Sequence, residues 1–332
     1  MTRLKNYTLY PDLNDGDNPF MVMLCGLPAS GKSVMARRLE VVEPTGDRHA
    51  PTIYSSDAIR KELYGDENDQ SDPQRVFKLL HRRIRHDLSV GKHVVYDATN
   101  IHRKQRRAFL QSLQSSPCRK VCVLMATEYQ ICVDRNNHRD RHVPQDVMWK
   151  MYTSFQPPAY NDGFDDIFIE YTSSELFGTG KMLNRFMETA IGFDQKNQHH
   201  AKTLLGHCGC AAATVREALP SNETMFLAAL LHDCGKPQTQ TYRNAKGDYD
   251  GNCHYYGHES VGAYNALLSV KDAYPNMPDD DVLYISNLIA YHMRPYTAWK
   301  SSEKAYQKDL RICGRAFIED VELLHQADVA AH

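Results

Sequence analysis

The sequence predicts an α/β domain with a parallel sheet followed by an all-α domain, and three features lead to that expectation. Up to about residue 170, short apolar runs alternate with helical periods, the pattern of βαβ units. The small, polar stretch TSSELFGTG then breaks the pattern. From about residue 183 onward only helical periods recur. The expected bounds are 1–172 for the first domain, 173–182 for a linker and 183–332 for the second, and 332 residues suffice for two ordinary cores.

Taken in order, the expected strands are FMVMLCG (20–26), TIYSS (52–56), HVVYDAT (93–99), KVCVLMAT (120–127) and DIFIEY (166–171). Each is a short apolar run closed by Gly, Ser or Asp, as befits a strand buried on both faces. Helices are expected to begin near Gly31, Asp57, Pro73 and His102, and GDENDQSDP (65–73) is a polar loop. In the second domain, helical periods cover 183–192, 200–218, 223–233, 258–270, 279–293 and 315–331, with no strand among them.

Composition excludes several classes. With 42% hydrophobic and 24% charged residues the chain is neither disordered nor fibrous. No apolar run approaches the roughly 20 residues needed to cross a bilayer, and MTRLKNYTLYPDLNDGDNPF lacks the apolar centre of a signal peptide, so a cytoplasmic protein with no membrane partner is expected. Nine cysteines without a CxxC pair exclude a disulfide framework or a zinc ribbon. The net charge of −2 hides a basic segment, for residues 81–142 hold 13 lysines and arginines against 5 aspartates and glutamates. HRRIRH, HRKQRR and RNNHRDRH supply much of this excess, which points to a polyanionic ligand.

Two stretches carry chemistry. In GLPASGKS the spacing GxxxxGKS follows an apolar strand and opens a helix, the context of a P-loop. Gly26, Ser30 and Gly31 let the backbone fold around phosphates, Lys32 reaches the β- and γ-phosphates of ATP or another NTP, and Ser33 binds Mg2+. After the second strand come Asp57 and, one helical turn on, Arg60; these suit a general base and an anchor for an anionic acceptor, or else a helix cap with its local partner. VVYDATN ends the third strand with Asp97, Thr99 and Asn100 at the edge where such sheets bind ligands, and Asp97 either assists Mg2+ or orients the acceptor. Arg135 and Arg139, four apart, are expected to lie one above the other on the helix of a lid spanning about 129–156.

The second stretch is the apolar helix that ends in His232-Asp233, with Gly235-Lys236 following. A buried imidazole–carboxylate pair is costly unless a cation joins it. His207, His258, His292 and Asp328 each flank a separate apolar stripe, so all can converge inside a bundle, with His254, His199 and His200 peripheral.

GLPASGKS, SSDAIRKELYG, YDATN and DRNNHRDRHVPQDVMWKMYTSFQPP together resemble the kinase domain of phage-type polynucleotide kinase. The resemblance implies Lys32 and Ser33 on the ATP phosphates and Mg2+, Asp57 as general base on a 5′-hydroxyl, Arg60 on the acceptor phosphate and Arg139 as the lid arginine; it leaves Arg141 unassigned. HDCGKP and HYYGHE, with His207 and Asp328, resemble the HD superfamily of metal-dependent phosphohydrolases. That resemblance implies His207, His232, Asp233 and Asp328 on one metal, His258 and His292 for a second, and Lys236 on a substrate phosphate. Mixed N and O donors suit Mn2+, Co2+, Ni2+ or Fe.

Together the two resemblances imply a nucleic-acid end-healing enzyme, with RNA or DNA ends as substrate and an RNA ligase acting downstream. The kinase phosphorylates 5′-hydroxyl ends, while the HD domain removes 2′,3′-cyclic phosphate, 3′-phosphate or 2′-phosphate. In fusions of this kind the domain order is the reverse of that found in this chain. Two alternatives stand beside it: a small-molecule or nucleoside kinase fused to an HD nucleotidase, and a non-catalytic nucleotide sensor.

Overall fold

The computed structural model describes residues 2–3, 18–40, 50–196 and 202–332, the first two by backbone only. His199, His200 and most of the amino-terminal stretch read above for a leader lie outside the described residues. The chain divides into two compact units, one comprising 3–144 and 158–172 and the other 1–2, 145–157 and 173–332.

The first unit is built on a sheet of order β1-β6-β5-β2-β4-β3. Its strands are β1 (Thr2–Arg3), β2 (Phe20–Cys25), β3 (Thr52–Ser55), β4 (Val94–Asp97), β5 (Arg119–Thr127) and β6 (Asp166–Ser173). β2 pairs in parallel with both β4 and β5, β3 with β4, and β5 with β6. Every residue of β2 is buried, because helices cover both faces of a parallel sheet. Val22, Leu24, Met35, Val95, Val121, Val123 and Met125 form one core cluster, and burying each such side chain stabilises the fold by about 1.5–3 kcal/mol. The register sets Asp97 level with Leu24 and Ser55, which brings the carboxyl ends of three strands to one edge.

Helices α1 (Lys32–Glu40), α2 (Ser56–Tyr64), α3 (Pro73–Ser89), α4 (Arg103–Gln111) and α5 (Tyr129–Asn137) complete the unit. Ser55, not Asp57, caps α2: its side chain accepts from the Asp57 N–H at 3.2 Å, and Gly65 ends the helix in the left-handed region. Asp72 caps α3, with Pro73 at its first position.

The second unit is helical, with α6 (Gln145–Tyr152), α7 (Lys181–Ile191), α8 (Leu204–Ala218), α9 (Glu223–Leu231), α10 (Lys236–Thr239), α11 (His258–Ala273), α12 (Asp279–Tyr291), α13 (Glu303–Cys313) and α14 (Arg315–Ala330). α9, ETMFLAALL, is apolar on nearly every face and therefore lies in the middle, packed on α8, α12 and α14. Two elements depart from the sequence expectation. A hairpin of β7 (Thr241–Arg243) and β8 (Tyr249–His254) interrupts the helices, and α13 forms where no helical period was read.

The stretch expected as a linker is anchored instead. Buried Asp272 accepts from the main-chain N–H of Thr179 at 3.1 Å and of Met182 at 2.9 Å, which satisfies the amino-terminal turn of α7. Residues 145–157, part of the expected lid, group with the helical unit. Tyr152 and Phe155 are buried edge-on against Tyr264, and the Tyr152 hydroxyl donates to Asn265 Oδ1 at 2.5 Å.

Candidate active sites

The P-loop owes its shape to three residues with positive φ, Gly26 (154°), Ala29 (59°) and Gly31 (105°). A Cβ on Gly26 would lie 2.8 Å from Ser30 Oγ and 3.0 Å from Met125 Cβ, so only glycine fits there. The loop is tied down on both sides: the Gly26 N–H donates to the Thr99 carbonyl at 2.9 Å, and Thr127 Oγ1 donates to the Ser30 carbonyl at 2.8 Å. Lys32 is buried and donates to the carbonyls of Gly26 at 3.1 Å and Leu27 at 2.7 Å. Burial pushes its ammonium pKa down, opposed by Asp97. Ser33 Oγ donates to Asp97 Oδ2 at 2.8 Å.

These residues fit a nucleotide with its Mg2+. Ser30 Oγ is a buried hydroxyl without a hydrogen-bond partner among the described residues, at the base of the loop, and a seryl oxygen beside a carboxylate is the hard-donor pair that Mg2+ prefers. Asp97, whose pKa burial raises, is the carboxylate that Ser33 contacts. Thr99 contributes its carbonyl to the loop. Asn100, at φ 48°, donates its side-chain amide to the Leu24 carbonyl at 2.9 Å and so ties β2 to the end of β4.

Asp57 stands at the second position of α2, its side chain 41% exposed, held between two arginines. Arg60 Nη1 reaches Asp57 Oδ1 at 2.5 Å, and Arg141 pairs with Asp57 Oδ2. Arg141 also donates to Asn68 Oδ1 at 3.0 Å. Sequence reasoning left Arg141 unassigned because no spacing links residue 141 to residue 57.

The expected stacking of Arg135 and Arg139 on one helix is corrected. α5 ends at Asn137, where the chain turns back: Asn136 Oδ1 accepts from the Val143 N–H at 3.0 Å and from Arg139 Nη2 at 2.7 Å. Arg139 thus projects from a loop, with a buried Nε that has no hydrogen-bond partner among the described residues and a guanidinium pKa lowered by burial and by Arg141. Arg135 Nη1 lies 3.5 Å from the Ala29 carbonyl in the P-loop.

The basic segment is smaller at the surface than in the sequence. Arg83 forms a bidentate pair with Glu62, both contacts at 2.6 Å. Arg103 and Arg106 are buried on Asp162, at 3.1 and 2.8 Å. Arg119 pairs with Asp166 at 2.6 Å. Arg82 and Lys104 remain exposed.

In the helical unit five elements bring their polar ends together. His207 comes from α8, His232 and His292 are the residues that immediately follow α9 and α12, His258 opens α11, and Asp328 lies in the last turns of α14. All are buried, with Asp233. A Cβ on Gly235 would lie 2.1 Å from the His258 carbonyl oxygen, so glycine alone allows the turn after Asp233 to close on α11. Asp233 bridges two groups. Its Oδ2 is 3.5 Å from His207 Nε2 and 3.3 Å from His232 Nε2, whereas its Oδ1 is 3.3 Å from His258 Nε2 and 3.7 Å from His292 Nε2. Asp328 Oδ1 joins the first group, 3.0 Å from His207 Nε2 and 3.5 Å from His232 Nε2.

This set fits two cations. Nδ1 of His232, His258 and His292 each lies 2.7 Å from a carbonyl three residues earlier. A carbonyl only accepts, so Nδ1 carries the proton and each Nε2 presents a lone pair. His258 and His292 then face each other lone pair to lone pair at 3.2 Å, an arrangement that a shared cation makes favourable. The two groups carry charge differently: burial opposes protonation of His232, yet Asp233 and Asp328 raise its pKa to about 10, so it takes up a proton that a cation would displace, whereas burial and the neighbouring His258 and His232 push His292 down to about 3 and leave it neutral. Among the described residues, two triads can hold an ion around Asp233, namely His207–His232–Asp233 and Asp233–His258–His292.

Lys236 Nζ pairs with Asp233 Oδ2 at 2.6 Å. His254 pairs instead with exposed Asp250 at 3.0 Å. Sequence reasoning missed His332, 3.5 Å from Asp328 Oδ1, and Gln195, which accepts from Lys236; neither sits in a periodic segment.

Comparison with known proteins matches a family model to each of the two sites. A family model described as an AAA domain matches residues 21–158, and one described as an HD domain matches residues 204–329. The L-seryl-tRNA(Sec) kinase of Methanococcus maripaludis is 23% identical over 176 residues, which span 51% of this chain and 65% of that protein. Similar solved structures include a chain of the Pnkp1/Rnl/Hen1 complex, 21% identical with a TM-score of 0.33 over 39% of this chain and 43% of that one. A gluconokinase from Sinorhizobium meliloti 1021 is 16% identical, with a TM-score of 0.34 over 48% of this chain and 86% of the other. In the helices described, none is long and apolar enough to cross a membrane.

Proposed function

We propose that this chain, a P-loop kinase domain followed by an HD domain, heals broken nucleic-acid ends, most readily those of RNA. The kinase domain phosphorylates a 5′-hydroxyl from ATP, and the HD domain removes a 2′,3′-cyclic, 3′- or 2′-phosphate. The observation that carries the proposal is the pairing in one chain of a carboxylate set between two arginines beside a P-loop with a bridging carboxylate at the centre of four histidines.

In the kinase site, Asp57 accepts the proton of the attacking hydroxyl while that oxygen bonds to the γ-phosphorus and ADP departs. Arg60 and Arg141 hold the acceptor's anionic group and aim Asp57. Lys32, Arg135 and Arg139 offset the charge that builds on the transferred phosphoryl group. Ser33 and Asp97 hold Mg2+.

In the HD site, His207, His232, Asp233 and Asp328 hold one divalent metal, and His258, His292 and Asp233 a second. Such metals supply Lewis acidity and make water a competent nucleophile at neutral pH. Lys236 orients the phosphoryl oxygen, and the carbonyl partners of three Nδ1 atoms keep the imidazoles aimed. Mixed N and O donors favour Mn2+, Co2+, Ni2+ or Fe.

An RNA acceptor draws support from the seryl-tRNA kinase among the relatives. The internal pairing of Arg83, Arg103 and Arg106 favours the second reading, a kinase of a nucleoside or small molecule fused to a nucleotidase. Supplying ATP, Mg2+, Mn2+ and a 5′-hydroxyl RNA ending in 2′,3′-cyclic phosphate, and then analysing both ends, separates the two. We expect both ends to be converted, Lys32→Ala to lose 5′ labelling alone, and labelling to fall steeply with salt. Labelling of a nucleoside but of no oligonucleotide would sink end healing. RNA healed at both ends is a fit substrate for an RNA ligase, the partner this activity implies.

A further inference from the structure

Lys236 has a neighbour with no part in the chemistry described so far. Its ammonium donates to Gln195 Oε1 at 2.7 Å as well as pairing with Asp233, and it lies 5.5 Å from the centre of the Tyr255 ring. Gln195 is fully buried although it belongs to no helix or strand. Its backbone is held in place, for the Tyr255 hydroxyl donates to the Gln195 carbonyl at 2.5 Å, and the Tyr255 carbonyl in turn accepts from Nδ1 of His258.

The orientation of the carboxamide is fixed by elementary chemistry. An ammonium only donates, so the glutamine must turn its oxygen to Lys236 and its NH2 group the other way. That Nε2 is buried and has no hydrogen-bond partner among the described residues. Burying a donor in this state is unfavourable, and such a group calls for an explanation. The side chain is also neutral. A carboxylate in its place would add a second negative charge beside the Asp233–Lys236 pair, whereas an amide holds the ammonium without one.

We propose that Gln195 is a phosphate-binding residue of the helical site. Its Oε1 holds Lys236 while its Nε2 donates to a nonbridging oxygen of the same phosphoryl group that Lys236 contacts, so the two side chains form one grip. This assignment rests on the phosphohydrolase reading of that site and adds the residue that steers its substrate.

The test uses the full chain loaded with Mn2+ and inorganic phosphate as probe. Affinity is measured by calorimetry, metal content by elemental analysis, and kcat and KM with a 2′,3′-cyclic nucleotide. Gln195→Glu keeps the bond to Lys236 and the side chain's size but removes the donor and adds a repelling charge, so it serves even where Gln195→Ala fails to fold. We expect Gln195→Ala to weaken phosphate binding by about 10-fold or more, Gln195→Glu to weaken it further, and Tyr255→Phe to have a smaller effect. Metal content stays unchanged in all three, and KM rises more than kcat falls. Wild-type phosphate affinity and KM in Gln195→Glu would overturn the proposal, as would a loss of metal that accounts for the weaker binding. Wild-type protein that binds phosphate in a Gln195-dependent way but hydrolyses no phosphoester leaves the grip standing and removes the phosphohydrolase reading instead.

Discussion

The two sites manage charge in opposite ways. In the P-loop unit each working group rests on a partner from its own chain: Lys32 on carbonyls, Ser33 on Asp97, Asp57 on Arg60 and Arg141. In the helical unit, like groups are pressed together out of water, with imidazole nitrogens 3.1 and 3.2 Å apart around one carboxylate. The first arrangement is self-sufficient and half open, as suits a site whose metal arrives with the nucleotide and leaves with it. The second becomes more favourable when a cation joins it. One chain therefore holds one site whose groups partner one another and one cluster with the donor set for cations.

The largest expected effect breaks the second arrangement. Asp233→Ala removes the carboxylate shared by both triads, so metal content falls from two ions to none and hydrolysis drops at least about 100-fold, with 5′ labelling intact. Elemental analysis beside the two activity assays checks this; one ion retained would show that Asp233 is no bridge.

A smaller effect tests the self-sufficiency of the kinase site. Arg141→Ala leaves Asp57 with Arg60 alone and should lower kcat/KM for 5′ phosphorylation by about 10-fold, with Arg141→Lys restoring part of it. Unchanged kinetics would reduce the Arg141 pair to a surface contact.

The smallest effect concerns stability and sharpens the contrast. His81, from the basic run HRRIRH, is packed on Phe109 and bonded to the Tyr96 hydroxyl at 3.0 Å. Burial, aided by Arg85, lowers its pKa from 6.5 to about 4. The unfolded chain binds a proton there before the folded chain does, so the P-loop unit loses stability as pH falls from about 6.5 to about 4, by about 3 kcal/mol at most. Thermal melts across that range should show the loss in wild type and a flatter profile in His81→Phe.

What the sequence made legible follows from how each signal is encoded. β2 and its loop were readable because an unbroken apolar run meets a fixed glycine spacing, and the His232-Asp233 pair because polar groups that end an apolar helix are conspicuous. The hairpin β7–β8 was not, since its strands TYR and YDGNCH are largely exposed and lack alternation. α13 escaped because its polar sequence is held by one buried carboxylate, Asp309, which accepts from Arg294 and Trp299, both at 2.9 Å. Arg141 and Gln195 contact Asp57 and Lys236 across long sequence separations without any motif, and only the fold brings them there. The basic segment was legible as charge but not as surface, because pairing with Asp162 and Glu62 leaves no mark on composition.

The route of the chain has a practical side. Because residues 145–157 belong to the helical unit and the chain then returns to the sheet at β6, each unit is built from more than one stretch of chain. Expressing residues 183–332 alone would strip Tyr152 and Phe155 from Tyr264, leaving a raw aromatic patch on an orphaned protein prone to clump. A cut that separates 183–332 from 145–157 is therefore expected to yield an aggregating fragment, which light scattering of that fragment checks.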